Sequence, residues 1–142
     1  MKFHNTIVIN KSQKEVFAYL AQLENLPKWN YAIRQTVKTA PGPVGTGSTY
    51  TQTRSLPRPM EEHLQITQFQ PDTLLVVDGG FGAFTGSSAY TLRQVSDGVT
   101  ELTNEVDLVP PPALKLIAPV VKAQVRQAVM ANLNVLKHIL ES

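Results

Sequence analysis

The stretch ALKLIAPVVKAQVRQAVMANLNVLKHILES, residues 113–142, decides how the rest of the chain is organised. Set out at about 100° per residue, Leu114, Ile117, Ala118, Val121, Val125, Ala128, Val129, Asn132, Val135, Leu136 and Ile139 share one side. Arg126, Gln127, Asn134, Lys137, His138 and Glu141 share the other. The segment reads as one long amphipathic helix made to cover an apolar surface. Pro119 should either kink it or mark its proper start, because proline lacks the N–H that would bond back to Lys115. The middle of the stripe, Val121, Val125, Ala128 and Asn132, is small or polar, whereas Leu136, Ile139 and Leu140 at the far end are large. Such a gradient leaves room against the middle of the helix. Either larger side chains from the opposing surface fill that room, as close packing demands, or the room is a ligand cavity with Asn132 among its few polar groups.

The surface to be covered is legible upstream. Residues 3–9 alternate Phe3, Asn5, Ile7, Ile9 against His4, Thr6, Val8, the period of a strand. Ser12 with Glu15 forms a capping box ahead of Val16, Phe17, Leu20 and Leu23 at helical spacing. Pro27 then suits the first turn of a second, very short helix that ends near Trp29. Trp29, the only tryptophan, is expected to anchor this helix pair or to stack on a ligand. From there the period is two. Strand segments at 33–39, 48–55, 60–69, 73–78, 85–95 and 99–109 are separated by turn-rich clusters. Among these, Ser96-Asp97-Gly98 is a hairpin signal, and Gly79-Gly80-Phe81-Gly82-Ala83-Phe84 reads as a flexible loop carrying two aromatic rings. In the last strand Leu102, Val106 and Leu108 oppose Glu101, Thr103, Glu105 and Asp107, so the sheet has one dry and one wet face. The terminal helix is expected to lie on the dry face.

A length of 142 residues suits one domain with a substantial core, and 1–142 is read as a single ligand-binding domain. Composition at 42% apolar and 17% charged is that of a globular chain, and no run approaches the roughly 20 apolar residues of a membrane span. The start, Met1-Lys2-Phe3-His4-Asn5, lacks the apolar core of a secretory signal, which sets a cytoplasmic expectation. Lys and Arg number 13 against 11 Asp and Glu and are scattered, so no basic stripe marks a nucleic-acid interface. With no cysteine, disulfides, thiolate metal sites and cysteine nucleophiles are excluded together.

The order of elements and several local strings resemble the START-like superfamily (SRPBCC), specifically its polyketide cyclase/dehydrase-like branch. The strings are Ile9-Asn10-Lys11-Ser12 leading into Glu15-Val16-Phe17-Ala18-Tyr19-Leu20, Asn25-Leu26-Pro27-Lys28-Trp29 and Gly47-Ser48-Thr49-Tyr50. Ile66-Thr67-Gln68-Phe69-Gln70-Pro71, Gly98-Val99-Thr100-Glu101-Leu102 and Leu136-Lys137-His138-Ile139-Leu140-Glu141 complete the set, which spans nearly the whole chain. The resemblance implies an α+β helix-grip fold: a curved seven-stranded antiparallel sheet around a long C-terminal helix, two short helices after the first strand, and an elongated apolar cavity between. It implies no single chemistry, since members include lipid carriers, hormone sensors, cyclases, hydroxylase domains and co-chaperone-like proteins.

Chemistry has few places to reside. His4, His63 and His138 stand apart from one another, and no spacing implies a metal or a cofactor. Alternation carries Tyr50, Gln52 and Arg54 inward on one strand, Glu62 and Leu64 on the next, Ser88 and Tyr90 on a third, and Asn104 on the last. Unpaired burial of each polar group costs about 1–3 kcal/mol, so they should pair with one another or with a ligand. An Arg54 to Glu62 ion pair across neighbouring strands is one such pairing. Phe81 and Phe84 on the glycine-rich loop, and the 41–47 loop facing it, are the expected lips of the cavity. With Trp29, Val121, Val125, Ala128 and Asn132, these residues form the expected ligand site.

Two functions are compatible with that site. One is binding or transport of a small hydrophobic or amphipathic molecule, a lipid, polyketide or aromatic metabolite. The other is a cyclase or dehydratase in which Glu62, Arg54, Tyr90 or Tyr50 orients and protonates a polyketide-like substrate. A co-chaperone-like or membrane-associated module using the lips is a third class, and the oligomeric state stays open between monomer and weak dimer.

Overall fold

The computed structural model describes residues 1–142. Seven strands, β1 (Lys2–Ile9), β2 (Ile33–Lys38), β3 (Thr49–Arg54), β4 (Met60–Gln70), β5 (Leu74–Phe81), β6 (Phe84–Ser96) and β7 (Val99–Val109), form one sheet in the order β1-β7-β6-β5-β4-β3-β2. Every neighbouring pair is antiparallel. The sheet is curved, and its register slips between Ile66 and Gln68 and again between Gln94 and Ser96, where bulges bend a ladder. On the dry face Phe3, Asn5, Ile7 and Ile9 are buried in strict alternation, as are Leu102, Asn104, Val106 and Leu108.

Local chemistry sets the helices. The Ser12 hydroxyl accepts from the Glu15 N–H at 3.2 Å and opens α1 (Gln13–Ala21), which buries Val16, Phe17, Leu20 and Ala21. A 3-10 turn (Leu23–Asn25) leads into α2 (Leu26–Trp29), with Pro27 in its first turn. The long C-terminal helix α3 (Ala118–Glu141) lies across the concave face and packs on β1 and α2. The architecture is a helix-grip fold.

One alternative of the sequence reading is decided, and two features differ from it. The terminal helix starts at Ala118, and the preceding Pro112–Ile117 is a 3-10 turn, because Pro119 is accommodated in a first helical turn but not in an interior one. The covering stripe also turns along the helix. Leu133, Leu136 and Leu140 centre the buried face of the C-terminal half, which admits Leu133 and leaves Val135 exposed at the edge; Ile117 is exposed ahead of the helix. Finally, residues 79–84 are not a loop. Gly79 and Gly80 continue β5, Phe81 pairs with Phe84, and only Gly82-Ala83 turns. Glycine is required there by close approach rather than for mobility: a Cβ on Gly79 would sit 2.2 Å from the His63 carbonyl oxygen, and one on its cross-strand partner Gly86 would sit 2.0 Å from that of Asp107.

Candidate functional site

A cavity of about 580 Å³ lies between the concave face of the sheet and the N-terminal half of α3. This is the usual size of a small-molecule site. Of its 30 lining residues 21 are hydrophobic, so a guest would be held mainly by apolar contact. Leu20, Leu23, Leu26 and Trp29 from α1, α2 and the turn between them form one wall, and Leu64, Val77, Val106 and Leu108 form the floor. Val121, Val125, Ala128 and Val129 form the roof. The roof is hollow because these side chains are short, whereas four residues on from Asn132 the helix presents Leu136 and closes the core completely. At one end Tyr31, Leu56 and Pro57 line the cavity while remaining exposed, which marks its mouth.

Inside, the polar groups form a short uncharged band. β6–β7 register sets Tyr90 opposite Asn104 and Ser88 opposite Val106. Asn104 Nδ2 donates to Ser88 Oγ at 2.8 Å and to the Ala89 carbonyl at 3.1 Å. The Tyr90 ring meets Trp29 edge to face, centroids 6.4 Å apart and planes at 84°. Burial pushes its phenol up, against a smaller opposing effect of Ser88, so it stays protonated at neutral pH and can both donate and accept. Across the space Asn132 on α3 is buried, and its Oδ1 has no hydrogen-bond partner. An orphan carbonyl of this kind costs about 1–3 kcal/mol.

A second polar cluster sits toward the mouth and is already satisfied. Thr36 Oγ1 donates to Gln52 Oε1 at 3.0 Å, and Gln52 Nε2 donates to Glu62 Oε1 at 2.9 Å. The other carboxylate oxygen, Oε2, accepts from Arg54 Nε at 2.7 Å and from the Gly82 N–H. Gly82, at φ +67°, turns its amide onto Glu62, so the cluster ties the β5–β6 hairpin tip to β3 and β4. The expected ion pair is present, and it is diagonal: Gln52 faces Glu62 in the register while Arg54 faces Met60.

The residues expected from the sequence thus fall into two groups. Trp29, Gln52, Arg54, Leu64, Phe81, Phe84, Ser88, Tyr90, Asn104, Val121, Val125, Ala128 and Asn132 line the cavity. Tyr50 and Glu62 do not. Tyr50 is on the inward face as expected, but four residues further from the mouth than Arg54 it lies within the packed core. Glu62 points inward and is roofed by the side chains and the amide that bind it. The 41–47 loop is not a lip: Val44 packs against the main core, and Tyr31 with Leu56-Pro57 occupies the rim instead. Those rim residues carry no periodic signal, and only their place between two inward-facing strands could have pointed to them. Leu20 and Leu23 were visible as helical core positions, not as cavity wall. No three His, Asp or Glu side chains gather as metal ligands, and no helix is long and apolar enough to cross a membrane.

The sequence profile described as polyketide cyclase / dehydrase and lipid transport matches residues 1–141. No curated protein matches the chain. Among solved structures, a conserved protein from Geobacillus kaustophilus superposes with a TM-score of 0.80 at 13% identity, over 99% of this chain and 95% of that one. The Zhui aromatase/cyclase from a Streptomyces species gives 0.79 at 10% identity, over 99% and 93%. A protein from Thermus thermophilus gives 0.76 at 12% identity, over 97% and 95%. At such identities the likeness is one of fold.

Proposed function

Since the chain belongs to the polyketide cyclase / dehydrase and lipid transport family, we propose that it binds and carries a small, largely apolar molecule bearing one or two uncharged polar groups. The observation that carries this reading is the hollow of about 580 Å³ whose interior hydrogen bonding is incomplete at Asn132 Oδ1. A rigid planar or branched hydrocarbon body would lie between the Leu64, Val77 and Val106 floor and the Val121, Val125 and Ala128 roof. A hydroxyl on it would donate to Asn132 Oδ1, and a carbonyl would accept from Tyr90. Desolvation of the apolar body drives binding, and the polar band orients it.

A second reading, turnover of a polyketide-like substrate by a cyclase or dehydratase, would rest on Tyr90: Arg54 also lines the wall but is tied to Glu62, and Tyr31 stands exposed at the mouth. Glu62, the obvious acid/base candidate, has both oxygens engaged by Gln52, Arg54 and Gly82. A general base must reach the proton it removes, and this carboxylate is behind the wall. The carrier reading is therefore preferred.

Trp29 supplies the test, because the only tryptophan of the chain lines the cavity. Titration with a panel of fatty acids, sterols, isoprenoids and aromatic polyketides should change its emission for at least one class, with a matching mass adduct in native mass spectrometry. Unchanged emission and no adduct across the panel would remove the reading. Conversion of a polyketide-like member of the panel, lost in Tyr90→Phe, would replace it with the enzymatic one.

A further inference from the structure

Apolar surface that the fold leaves uncovered adjoins the segments that line the cavity. Leu116 is 97% exposed, Val120 60%, Ile117 51%, Tyr31 63% and Leu56 47%. Single exposed apolar residues are ordinary, but here Leu116, Ile117 and Val120 fall within five residues of one segment whose Leu114 and Val121 line the cavity. Tyr31 and Leu56 belong to the cavity wall themselves. The exposed side chains thus belong to the cavity wall or stand next to residues that do.

Charge says what would cover it. No carboxylate occurs in residues 25–60, 79–96 or 108–140, the three stretches that supply the rim and the hairpin tip beside it. The same stretches place Lys28, Arg58, Lys115 and Lys122 within three residues of a rim side chain, all exposed. None of the four is in an ion pair, whereas Lys2, Arg93 and Lys137, away from the mouth, each pair with a glutamate. An apolar centre flanked by unpaired cations, with the nearby Glu62 buried and neutralised by Arg54, complements an anionic bilayer surface, where apolar side chains enter the acyl boundary and Lys and Arg meet the headgroups.

We propose that the exposed Leu116–Ile117–Val120 surface and its flanking Lys115, Lys122 and Arg58 dock the open end of the cavity onto a membrane of anionic phospholipid. A guest would then pass between bilayer and cavity without crossing water. This use of the surface rests on the carrier reading; the docking itself rests on the patch alone.

The test is flotation with ligand-free vesicles of phosphatidylcholine, with and without phosphatidylglycerol. The protein is expected to float with the anionic vesicles and to be released as salt rises, because exposed charges are screened. Lys115→Glu with Lys122→Glu should weaken this by at least about fivefold per site, and Leu116→Asp with Val120→Asp by at least about tenfold. The thermal midpoint and the Trp29 titration in solution should stay unchanged in both variants. Absence of binding to anionic vesicles, or binding indifferent to these substitutions, overturns the proposal. So does sedimentation showing that Leu116→Asp dissolves a dimer or a complex with another protein while vesicle binding is intact. A docking protein whose Trp29 responds to no ligand retains the docking and removes only the carrier reading.

Discussion

The two halves of α3 face the same sheet and do opposite things. From Asn132 onward, Leu133, Leu136 and Leu140 are buried and the helix is part of the core. Before it, Val121, Val125, Ala128 and Val129 keep accessible surface because they look into a space. The C-terminal half is also fastened at its end, where Glu141 accepts from the Asn10 N–H at 2.7 Å and pairs with Lys137. The N-terminal half is bound to the sheet by one long-range side-chain bond, from Asn5 Nδ2 to the Arg126 carbonyl at 3.2 Å. One helix therefore works as a structural pin at one end and as a cover at the other, and side-chain volume together with the polar fastening of the C-terminal end separates the two roles.

That contrast can be broken at its strong end first. Leu136→Ala should lower unfolding free energy by about 2–5 kcal/mol in denaturant titration, while Val125→Ala, over the hollow, should cost about 1 kcal/mol or less. Equal costs would mean the roof is packed after all. Ala128→Trp should fill the cavity, weaken ligand binding at least about tenfold, which is about 1.4 kcal/mol, and leave the unfolding midpoint near wild type. Asn132→Leu, at the boundary between the halves, removes an orphan carbonyl and should raise stability by about 1 kcal/mol while weakening hydroxyl-bearing guests more than plain hydrocarbons, as isothermal titration would read. The smallest effect is expected at the pin's exposed end. The Asn10 N–H, with a lesser contribution from Lys137, holds the Glu141 carboxyl below its ordinary range. Its contribution is complete above the unfolded value of about 4.3 and is lost as pH falls through the lower folded value. Glu141→Gln should therefore flatten the fall of the thermal midpoint slightly in that acid window.

Much of this was readable from residue order. Alternation in 48–55, 85–95 and 99–109 places Gln52 and Arg54, Ser88, and Asn104 on the inner face, where the fold puts them. A face, however, is not a site. Tyr50 and Arg54 share one inward face of β3, yet one is sealed in the core and the other lines the cavity. Alternation has a period of two and cannot say where along a strand the helix lifts away from it. Glu62 failed for a different reason. Nothing in its own strand announces that the Gly82 amide, twenty positions away in sequence, will close over it. The glycines of 79–84 read as freedom in the sequence, because composition shows what a residue permits and not which neighbour presses on it.

The amino-acid order by itself determined the element sequence, the dry face and the thin middle of the covering helix, because these depend on local periodicity and side-chain size. Only the tertiary structure decided that the thin middle stays hollow, that Glu62 is tied off behind the wall, and that Leu116, Ile117 and Val120 stand bare. Each of these depends on distances between segments far apart in the chain, where one turn of a helix or one bulge in a ladder separates contact from empty space.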